Sequence, residues 1–231
     1  MPAIRRAGRG RRIFVRVRVG GAVTRWVADN YADIGVLEEV FGRQVYDLHD
    51  LPEPSTILDL GSHVGASVLF FARRYPEASI IAVEADPLNF AKLRYNVGQL
   101  PRVKLVHAAA APERGAITLY SSGGVDSWKS STRRFTPWQQ PVEVLAVRID
   151  DLLAEQRAQA PIVVKIDIEG AEYEVLQSFR ALAEVAGIVG EVHPRLMSAP
   201  VEDFRSLLDD FDLELPDVID HDTAFRARRR L

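Results

Sequence analysis

The chain has 231 residues, 47% of them hydrophobic, which is enough for one α/β domain with a substantial core. It contains no cysteine, so disulfides and thiolate metal sites are excluded and a cytoplasmic location is expected. No apolar run reaches the roughly 18 residues of a membrane span, and the basic N-terminus lacks the apolar segment of a secretory signal, so we expect no membrane association.

Charge is distributed unevenly along the chain, although the net charge is only −3. Residues 1–18 hold seven arginines and residues 226–231 hold four, whereas residues 19–225 hold 18 basic and 32 acidic residues. An acidic body argues against a nucleic-acid groove, so we expect no nucleic-acid partner. The arginine-rich ends are interpreted as solvated termini. Pairing with an acidic neighbouring subunit is the alternative, and it leaves a homodimer possible.

The N-terminal part of the chain has the pattern of a hairpin followed by a helix. Residues 1–12 are predicted to be disordered. Apolar alternation predicts a strand at Ile13–Val19, which a Gly20-Gly21 turn joins to a second strand at Ala22–Ala28. A short helix is predicted over Asp33–Phe41, with Asp33 as its N-cap.

A strand, a glycine turn and a helix follow, and this order opens many nucleotide-binding βαβ units. The strand is the apolar run Ile57–Leu60, and the helix is predicted over Val64–Tyr75 from its apolar spacing. Gly61 and Gly65 bound the turn, where the absence of a Cβ lets the backbone approach a ligand.

The residues around this turn favour a positively charged ligand over a phosphate. His63 stands where a dinucleotide-binding fingerprint has its middle glycine, and Asp59 would repel a phosphate. S-adenosylmethionine, which carries an ammonium and a sulfonium group, fits this chemistry. Glu84 ends the next predicted strand, 23 residues after Gly61, where a ribose-binding carboxylate is expected. Plain helix capping is the alternative for Asp59 and Glu84.

Strands and helices alternate over the rest of the chain. Further strands are predicted at Ile80–Glu84, Val103–His107, Ile117–Tyr120, Val142–Val147, Ile162–Ile168, Gly187–His193, Asp212–Leu215 and Ala224–Arg228. Further helices are predicted at Pro87–Val97, capped by Asp86, at Asp150–Arg157, capped by Asp150, at Gly170–Leu182 and at Val201–Asp210. This order predicts an α/β fold with a mostly parallel, doubly wound sheet and an antiparallel C-terminal strand.

Polar residues gather where predicted strands end. Asp167 and Glu169 are two residues apart, as are Glu191 and His193, so each pair shares one face of its strand. If the two strands are neighbours, three carboxylates and an imidazole converge, which requires a cation, a proton or a hydrogen-bond donor. The candidates are the S-adenosylmethionine cation, Lys165, which should pair with a carboxylate, and a divalent metal.

Four segments of the chain together resemble the FkbM family of S-adenosylmethionine-dependent methyltransferases. They are Ile57–Gly65, Val83–Pro87, Glu191–Pro194 and Lys165–Glu172, of which the last, Lys-Ile-Asp-Ile-Glu-Gly-Ala-Glu, is the most specific. The resemblance implies a Rossmann-like class I methyltransferase fold that methylates a hydroxyl of a small molecule, sugar or natural product. It does not demand a metal, and we predict none. Residues 1–50 are predicted to form a basic arm, a hairpin and, at Asp29–Asp50, a segment that the resemblance implies to be a lid, in front of a methyltransferase core at 51–231.

The candidate site residues divide into two groups. The residues predicted to bind the cofactor are Asp59, Gly61, Ser62, His63, Gly65, Glu84, Ala85, Asp86, Ala108 and Asp167. Those predicted to be catalytic are His193, Glu191, Asp167 and Glu169. His193 is the predicted general base, since its ordinary pKa is near 6.5, and Glu191 or Asp167 would hold its tautomer. His63 is the other candidate base. A structural histidine is the alternative for both.

Other interpretations remain open at this level. The long non-periodic segment Ser121–Gln140 is predicted to be an active-site loop, with a surface excursion as the alternative. The acceptor could be an amine or a carboxyl group of a small molecule or peptide. A nicotinamide-dependent oxidoreductase is a further alternative, against which His63 argues. A non-catalytic S-adenosylmethionine-binding scaffold is the last, against which the acidic strand ends argue.

Overall fold

The computed structural model describes residues 13–19, 22–47, 49, 51–123, 127–219 and 221–230. The strands are β1 (Ile13–Val19), β2 (Ala22–Ala28), β3 (Thr56–Leu60), β4 (Ser79–Glu84), β5 (Val103–His107), β6 (Ala109–Ala110), β7 (Gly115–Ser121), β8 (Gln140–Val147), β9 (Ile162–Ile166), β10 (Val185–Val192), β11 (Phe211–Glu214) and β12 (Thr223–Arg229). The helices are α1 (Ala32–Leu37), which continues as a π-helical turn over Glu38–Arg43, then α2 (Ala66–Arg74), α3 (Pro87–Val97), α4 (Ile149–Gln156), α5 (Glu172–Ser178), a 3₁₀ turn at Arg180–Glu184, and α6 (Val201–Leu207).

The main sheet has seven strands in the order β11-β12-β10-β9-β3-β4-β5. The run from β10 to β5 is parallel, and β12 lies antiparallel between β10 and β11. The predicted α/β fold with a mostly parallel sheet and an antiparallel C-terminal strand is therefore confirmed. The chain order reverses between β3 and β9, and open α/β sheets bind ligands beyond the carboxyl ends of the strands at such a switch point.

Helices cover both faces of this sheet. Leu58 and Ile166 belong to one hydrophobic cluster that includes side chains of α4, α5 and α6. Ile57 and Val163 belong to the other, which includes side chains of α2 and α3. Alternate residues of a strand point to opposite faces of the sheet. Because both faces are covered, every residue of β3 and β9 is buried.

The β1–β2 hairpin is antiparallel, as predicted, although its turn at Gly20-Gly21 and the arm at 1–12 lie outside the described residues. Trp26 and Tyr46 are buried in the cluster that covers α2 and α3. The backbone N–H and C=O of Val27 both bond the side chain of Asn96 on α3. The N-terminal segment therefore packs on the core of the sheet, and its division from the rest at residue 50 stays a prediction.

Local details at element ends differ from the predictions. Asp86 caps α3 and Pro87 begins it, as predicted. Asp33 is not a cap, because it lies inside α1 with Tyr31 at the N-cap position. Asp150 is not a cap either, since Arg148 holds that position in α4. The Asp150 carboxylate instead accepts hydrogen bonds from backbone N–H groups of the 3₁₀ turn at Arg180–Glu184.

The segment between β5 and α4 forms a small separate sheet in the order β6-β8-β7. Its short strand β6 was not predicted, because two alanines carry no strand pattern. Among the described residues, no helix combines the length and apolarity that crossing a bilayer requires.

Candidate active site

A cavity of about 450 Å³ lies at the switch point of the sheet, beyond the carboxyl ends of β3, β4, β9 and β10. Its size is within the range of small-molecule sites. Of the predicted site residues, those that line it are Gly61, Ser62, His63, Glu84, Ala85, Ala108, Asp167, Glu169, Glu191 and His193. Asp59, Gly65 and Asp86 are not among the lining residues.

The glycine turn is shaped by neighbouring protein atoms. Gly61 has φ +78°, and a Cβ there would lie 1.8 Å from the carbonyl oxygen of Asp167. Gly65 has φ +99°, and its Cβ would meet Leu93 and Val97 of α3 at 3.0–3.1 Å. Packing within the protein therefore requires a glycine at position 61 and disfavours a side chain at position 65, and the predicted close approach of a ligand at Gly61, which lines the cavity, stays a prediction.

Asp59 lies beneath the cavity, fully buried within β3. Its Oδ2 accepts a hydrogen bond of 2.6 Å from Ser67, and its Oδ1 lies 3.5 Å from Nζ of Lys165. Burial raises the pKa of Asp59, which Lys165 and Ser67 only partly offset. Because it does not reach the cavity, Asp59 can act on a ligand only through its neighbours.

Lys165 pairs with carboxylates, as predicted. Its Nζ lies near Asp59 and 3.7 Å from Oδ2 of Asp167, and it donates to the carbonyl oxygens of Gly61 at 2.7 Å and Leu60 at 3.2 Å. Burial would lower the pKa of Lys165, but Asp59 and Asp167 outweigh it and raise that pKa. The ammonium group thus ties the glycine turn to the end of β9.

Glu84 ends β4 as a buried carboxylate at the cavity wall. It accepts backbone N–H bonds from His63 and Asp86, each 2.8 Å long. Burial, with a smaller contribution from Asp86, raises its pKa to about 8. The side chain is therefore held in one position beside the glycine turn.

Asp86 organises the loop above it. Besides capping α3, its Oδ2 accepts hydrogen bonds from Ser121 at 2.5 Å and Ser130 at 2.7 Å. These serines lie at the beginning and in the middle of the predicted active-site loop. Asp86 therefore positions the loop that covers the cavity.

The described part of this loop lines the cavity, as predicted. Trp128, Ser131 and Phe135 are lining residues, and the Ser131 hydroxyl donates to the carbonyl oxygen of Glu169. Trp138 is not a lining residue and is half exposed. Residues 124–126 of this segment lie outside the described residues.

The predicted lid also contributes to the cavity, through Val36, Glu39, Val40 and Tyr46. Tyr46 donates a 2.8 Å hydrogen bond to Oδ2 of Asp167. Its role was not predicted, because a contact between residues 121 positions apart leaves no local pattern. The lid supplies a polar contact to the end of β9 as well as apolar cover.

A buried network joins the lid to α3 and to the loop. Both oxygens of Asp33 bond Nζ of Lys92 at 2.8–2.9 Å, and the Ser127 hydroxyl donates to Oδ1 of Asp33 at 2.6 Å. Because that hydroxyl has only one proton, it accepts from Nε2–H of His63 at 2.7 Å. Burial acts to raise the pKa of Asp33, but Lys92 and the hydrogen bonds lower it overall.

His63 therefore helps to hold Ser127 of the loop against Asp33. Burial lowers its pKa to about 4, and the charge of Lys92 adds to that effect. A neutral imidazole whose Nε2–H is bonded to Ser127 has no lone pair at that nitrogen for an acceptor proton. The lone pair is then on Nδ1, so Nε2 cannot be the base, and His63 as the other candidate general base stays a prediction.

The predicted convergence of three carboxylates around His193 is confirmed. Nε2 of His193 lies 3.8 Å from Asp167, 3.7 Å from Glu169 and 3.9 Å from Glu191. The strands β9 and β10 are neighbours, as the prediction required. However, β9 ends at Ile166 and Glu169 has φ +55°, so a tight turn brings Asp167 and Glu169 together and strand alternation does not.

The partner that orients His193 is Glu172, which begins α5 and is not among the predicted site residues. The His193 Nδ1 lies 2.9 Å from Glu172, whereas Glu191 and Asp167 face the other nitrogen. Glu172 also belongs to the Lys-Ile-Asp-Ile-Glu-Gly-Ala-Glu string, which was the signal available for it. The prediction that Glu191 or Asp167 fixes the tautomer was wrong.

The electrostatics of this group differ from those expected of a general base. Burial would lower the pKa of His193, but the hydrogen bond to Glu172 and the nearby carboxylates raise it to about 11. Burial raises the pKa of Glu169 to about 8 and that of Glu191 to about 7. An imidazolium cannot accept a proton, which corrects the expectation of a histidine that titrates near 6.5.

His107, at the end of β5, does not line the cavity. It is exposed and stacks on Phe90 with ring centroids 4.6 Å apart. Ala108, the next residue, does line the cavity.

A family model described as the methyltransferase FkbM domain matches residues 59–215, which is more than half of the chain. The 2-O-methyltransferase NoeI of Sinorhizobium fredii is 28% identical over 148 residues, which cover 58% of this chain and 60% of that protein. Methyltransferase 1 of Beauveria bassiana is 28% identical over 161 residues, which cover 61% of this chain and 64% of that protein.

A further relative is the 31-O-demethyl-FK506 methyltransferase FkbM of Streptomyces tacrolimicus. It is 25% identical over 188 residues, which cover 67% of this chain and 72% of that protein. The chain thus spans less than two thirds of the length of the first two relatives.

Proposed function

This chain belongs to the FkbM family of methyltransferases, and we propose that it transfers the methyl group of S-adenosylmethionine to a hydroxyl oxygen of a small molecule. The observation that carries this proposal is the position of Glu84. Its buried carboxylate lies at the end of β4, beside the glycine turn and in the same cavity as the carboxylate cluster. One cavity thus provides an acceptor for ribose hydroxyls and negative charge for a cation.

The lining residues suit this donor. Glu84 would accept the ribose hydroxyls, and Ala85 and Ala108 would border the adenine, since both are small and line the cavity. Gly61, Ser62 and the Asp167 carboxylate would face the methionine part and its ammonium. The other three predicted residues act from outside the cavity. Asp59 holds Lys165, Gly65 lies at the start of α2, and Asp86 holds the loop in place.

S-adenosylmethionine, when bound, supplies an electrophilic methyl group on a sulfonium. The protein has to hold the acceptor hydroxyl in line with that group and accept its proton. Glu191, at the end of β10, takes the proton, because its carboxylate faces the cavity close to Nε2 of His193. The charged groups nearest to Glu191 are those of Asp167, Glu169 and His193. The loop and the lid keep water out of the cavity.

The choice of a hydroxyl acceptor is supported by the names of two relatives, a 2-O-methyltransferase and a 31-O-demethyl-FK506 methyltransferase. An amine or carboxyl acceptor is the alternative, and a non-catalytic scaffold is the other class. Methyl transfer from radiolabelled S-adenosylmethionine to hydroxylated and amino acceptors separates the three. Cytoplasmic location, a possible homodimer and the absence of a nucleic-acid partner stay predictions.

Replacing Glu84 by alanine should weaken the binding of S-adenosylhomocysteine. A lost carboxylate contact to the ribose is worth about 1.5–3 kcal/mol, or roughly 10- to 150-fold in Kd. Isothermal titration calorimetry measures the change, with thermal unfolding to verify that the variant is folded. Glu113→Ala, at an exposed position outside the cavity, is the control and should bind as the parent does. Equal affinity in Glu84→Ala and the parent would remove Glu84 from the donor site.

Binding of S-adenosylhomocysteine should tighten as the pH rises. The free protein holds a proton on Glu84 up to its raised pKa of about 8, whereas ribose hydroxyls bond best to the ionised carboxylate. Binding then releases a proton below pH 8, so affinity increases by about tenfold between pH 7 and pH 9. Glu84→Gln cannot ionise and should bind more weakly with a flatter profile. Identical pH profiles of parent and variant would contradict this assignment.

A further inference from the structure

The group of carboxylates around His193 has the features of a second ligand site in the same cavity. We propose that Asp167, Glu169 and His193 bind a divalent metal ion, and that manganese suits their mixed oxygen and nitrogen donors. The resemblance to the family had given no reason to expect a metal. The reason comes from the orientation of His193, which the sequence did not reveal.

The spacing of the donor atoms suits a metal ion. One oxygen from each of the two acids and one nitrogen of His193 all lie within 4.8 Å of one another. Nε2 is 3.8 Å from Asp167 Oδ1 and 3.7 Å from Glu169 Oε1, which is too long for hydrogen bonds. With metal–ligand bonds near 2.1 Å, adjacent octahedral ligands are about 3.0 Å apart and opposite ones about 4.2 Å. The two separations from Nε2, 3.7 and 3.8 Å, lie between these limits.

Nε2 of His193 faces this space. Glu172 accepts backbone N–H bonds from Ile168 and Gly170, so its carboxylate acts as an acceptor and Nδ1 of His193 must be the donor in their contact. A divalent ion would displace the proton that Nε2 carries in the metal-free protein, and the lone pair that binds the ion is then on Nε2, because Nδ1–H stays bonded to Glu172. The side chain is only 2% exposed, and Nε2 makes no hydrogen bond within the part of the chain that the structure describes. A carboxylate that fixes the far nitrogen of a histidine is the usual support of a metal ligand.

The two acids also have an oxygen left for a cation. Oδ2 of Asp167 accepts the Tyr46 hydroxyl, whereas Oδ1 faces His193. The Glu169 carboxylate accepts no hydrogen bond from any described residue, although its side chain is only 17% exposed. A buried carboxylate without a donor is costly unless a cation or proton accompanies it.

In the metal-free protein the His193 imidazolium supplies one positive charge to these carboxylates. Lys165 is the closest ammonium group, but it approaches Asp167 on the Oδ2 side and donates to the carbonyl oxygens of Leu60 and Gly61. Glu191 adds a third carboxylate within 3.9 Å of Nε2. A divalent ion in place of the Nε2 proton would therefore raise the positive charge that faces the three carboxylates from one to two.

The role of the metal ion, which is to hold the acceptor oxygen close to the methyl donor, rests on the proposed function. The binding itself does not depend on methyl transfer. The two claims can therefore be tested separately, one with metal alone and one with S-adenosylhomocysteine alone.

The test is a titration of the full chain, stripped with EDTA, with MnCl₂ in the absence of donor and acceptor. The electron paramagnetic resonance signal of free Mn²⁺ reports the bound fraction, and calorimetry gives the stoichiometry. We expect saturable binding of one Mn²⁺ per chain. Glu169→Gln and Asp167→Asn keep the size of each side chain, and each should weaken binding at least tenfold.

Glu174→Gln is the matched control, because Glu174 lies on α5 next to this group but bonds Arg133 instead. It should bind Mn²⁺ as the parent does. The proposal is overturned if the parent shows no saturable binding below roughly 1 mM, or if both Glu169→Gln and Asp167→Asn bind as tightly as the parent. Loss of S-adenosylhomocysteine binding in the same metal-free chain would instead refute the proposed function and leave the metal site standing.

Discussion

Replacing Gly61 by alanine should destabilise the protein by about 4 kcal/mol, from backbone strain and overpacking together. The new Cβ would lie 1.8 Å from the carbonyl oxygen of Asp167, a backbone atom that cannot move without displacing the end of β9. The residue also has φ +78°, which L side chains rarely adopt. Urea unfolding followed by circular dichroism measures the change.

Gly123→Ala is the matched control for this variant. Gly123 has φ +64°, but a Cβ there would meet no atom of the described residues within 4 Å. This control carries the backbone strain without the clash and should cost about 1–2 kcal/mol. If the two variants lose the same stability, the close approach between the glycine turn and β9 is not what requires Gly61.

Replacing Lys92 by methionine should cost about 3–5 kcal/mol, because it leaves the Asp33 carboxylate buried without its cation. The side chains are 1% and 0% exposed, so water cannot take the place of the ammonium group. Since Asp33 also accepts from Ser127, the loop should loosen over the cavity, and binding of S-adenosylhomocysteine should weaken as well. Urea unfolding and calorimetry measure the two effects.

Two further variants isolate the buried charge as the cause. Lys92→Met combined with Asp33→Asn removes both charges and should recover at least half of the lost stability. Arg102→Met breaks the Arg102–Glu77 pair, whose side chains are 52% and 88% exposed, and should cost less than about 1 kcal/mol. A loss in Lys92→Met no larger than that in Arg102→Met would contradict the role given to the buried pair.

The sheet and the position of its ligand site could be predicted because their signals are local. Short apolar runs, which predict strands, alternate with segments whose apolar residues recur at helical spacing. Asp86-Pro87 marks a helix start by residue type alone. The positions of Glu84 and His193 followed, because parallel strands end at the same edge of a sheet. These predictions required no knowledge of contacts between distant residues.

The parts that could not be predicted depend on contacts between segments that are far apart in sequence. Glu172 meets His193 only because α5 and β10 are adjacent in the fold, and Asp33 meets Lys92 across 59 positions. Asp33, which lies near the start of α1, was therefore predicted to be its N-cap. Asp59 was predicted to reach the ligand because it lies close to the end of the strand, whereas in the structure its buried side chain is directed towards Ser67.

A crystal structure of the chain with S-adenosylhomocysteine tests the central claim most directly. The account predicts that the adenosyl group lies in the cavity at the switch point, with its ribose hydroxyls bonded to the Glu84 carboxylate and its adenine beside Ala108. Density for the ligand at another location, or NADP bound in this cavity when both are supplied, would contradict the account.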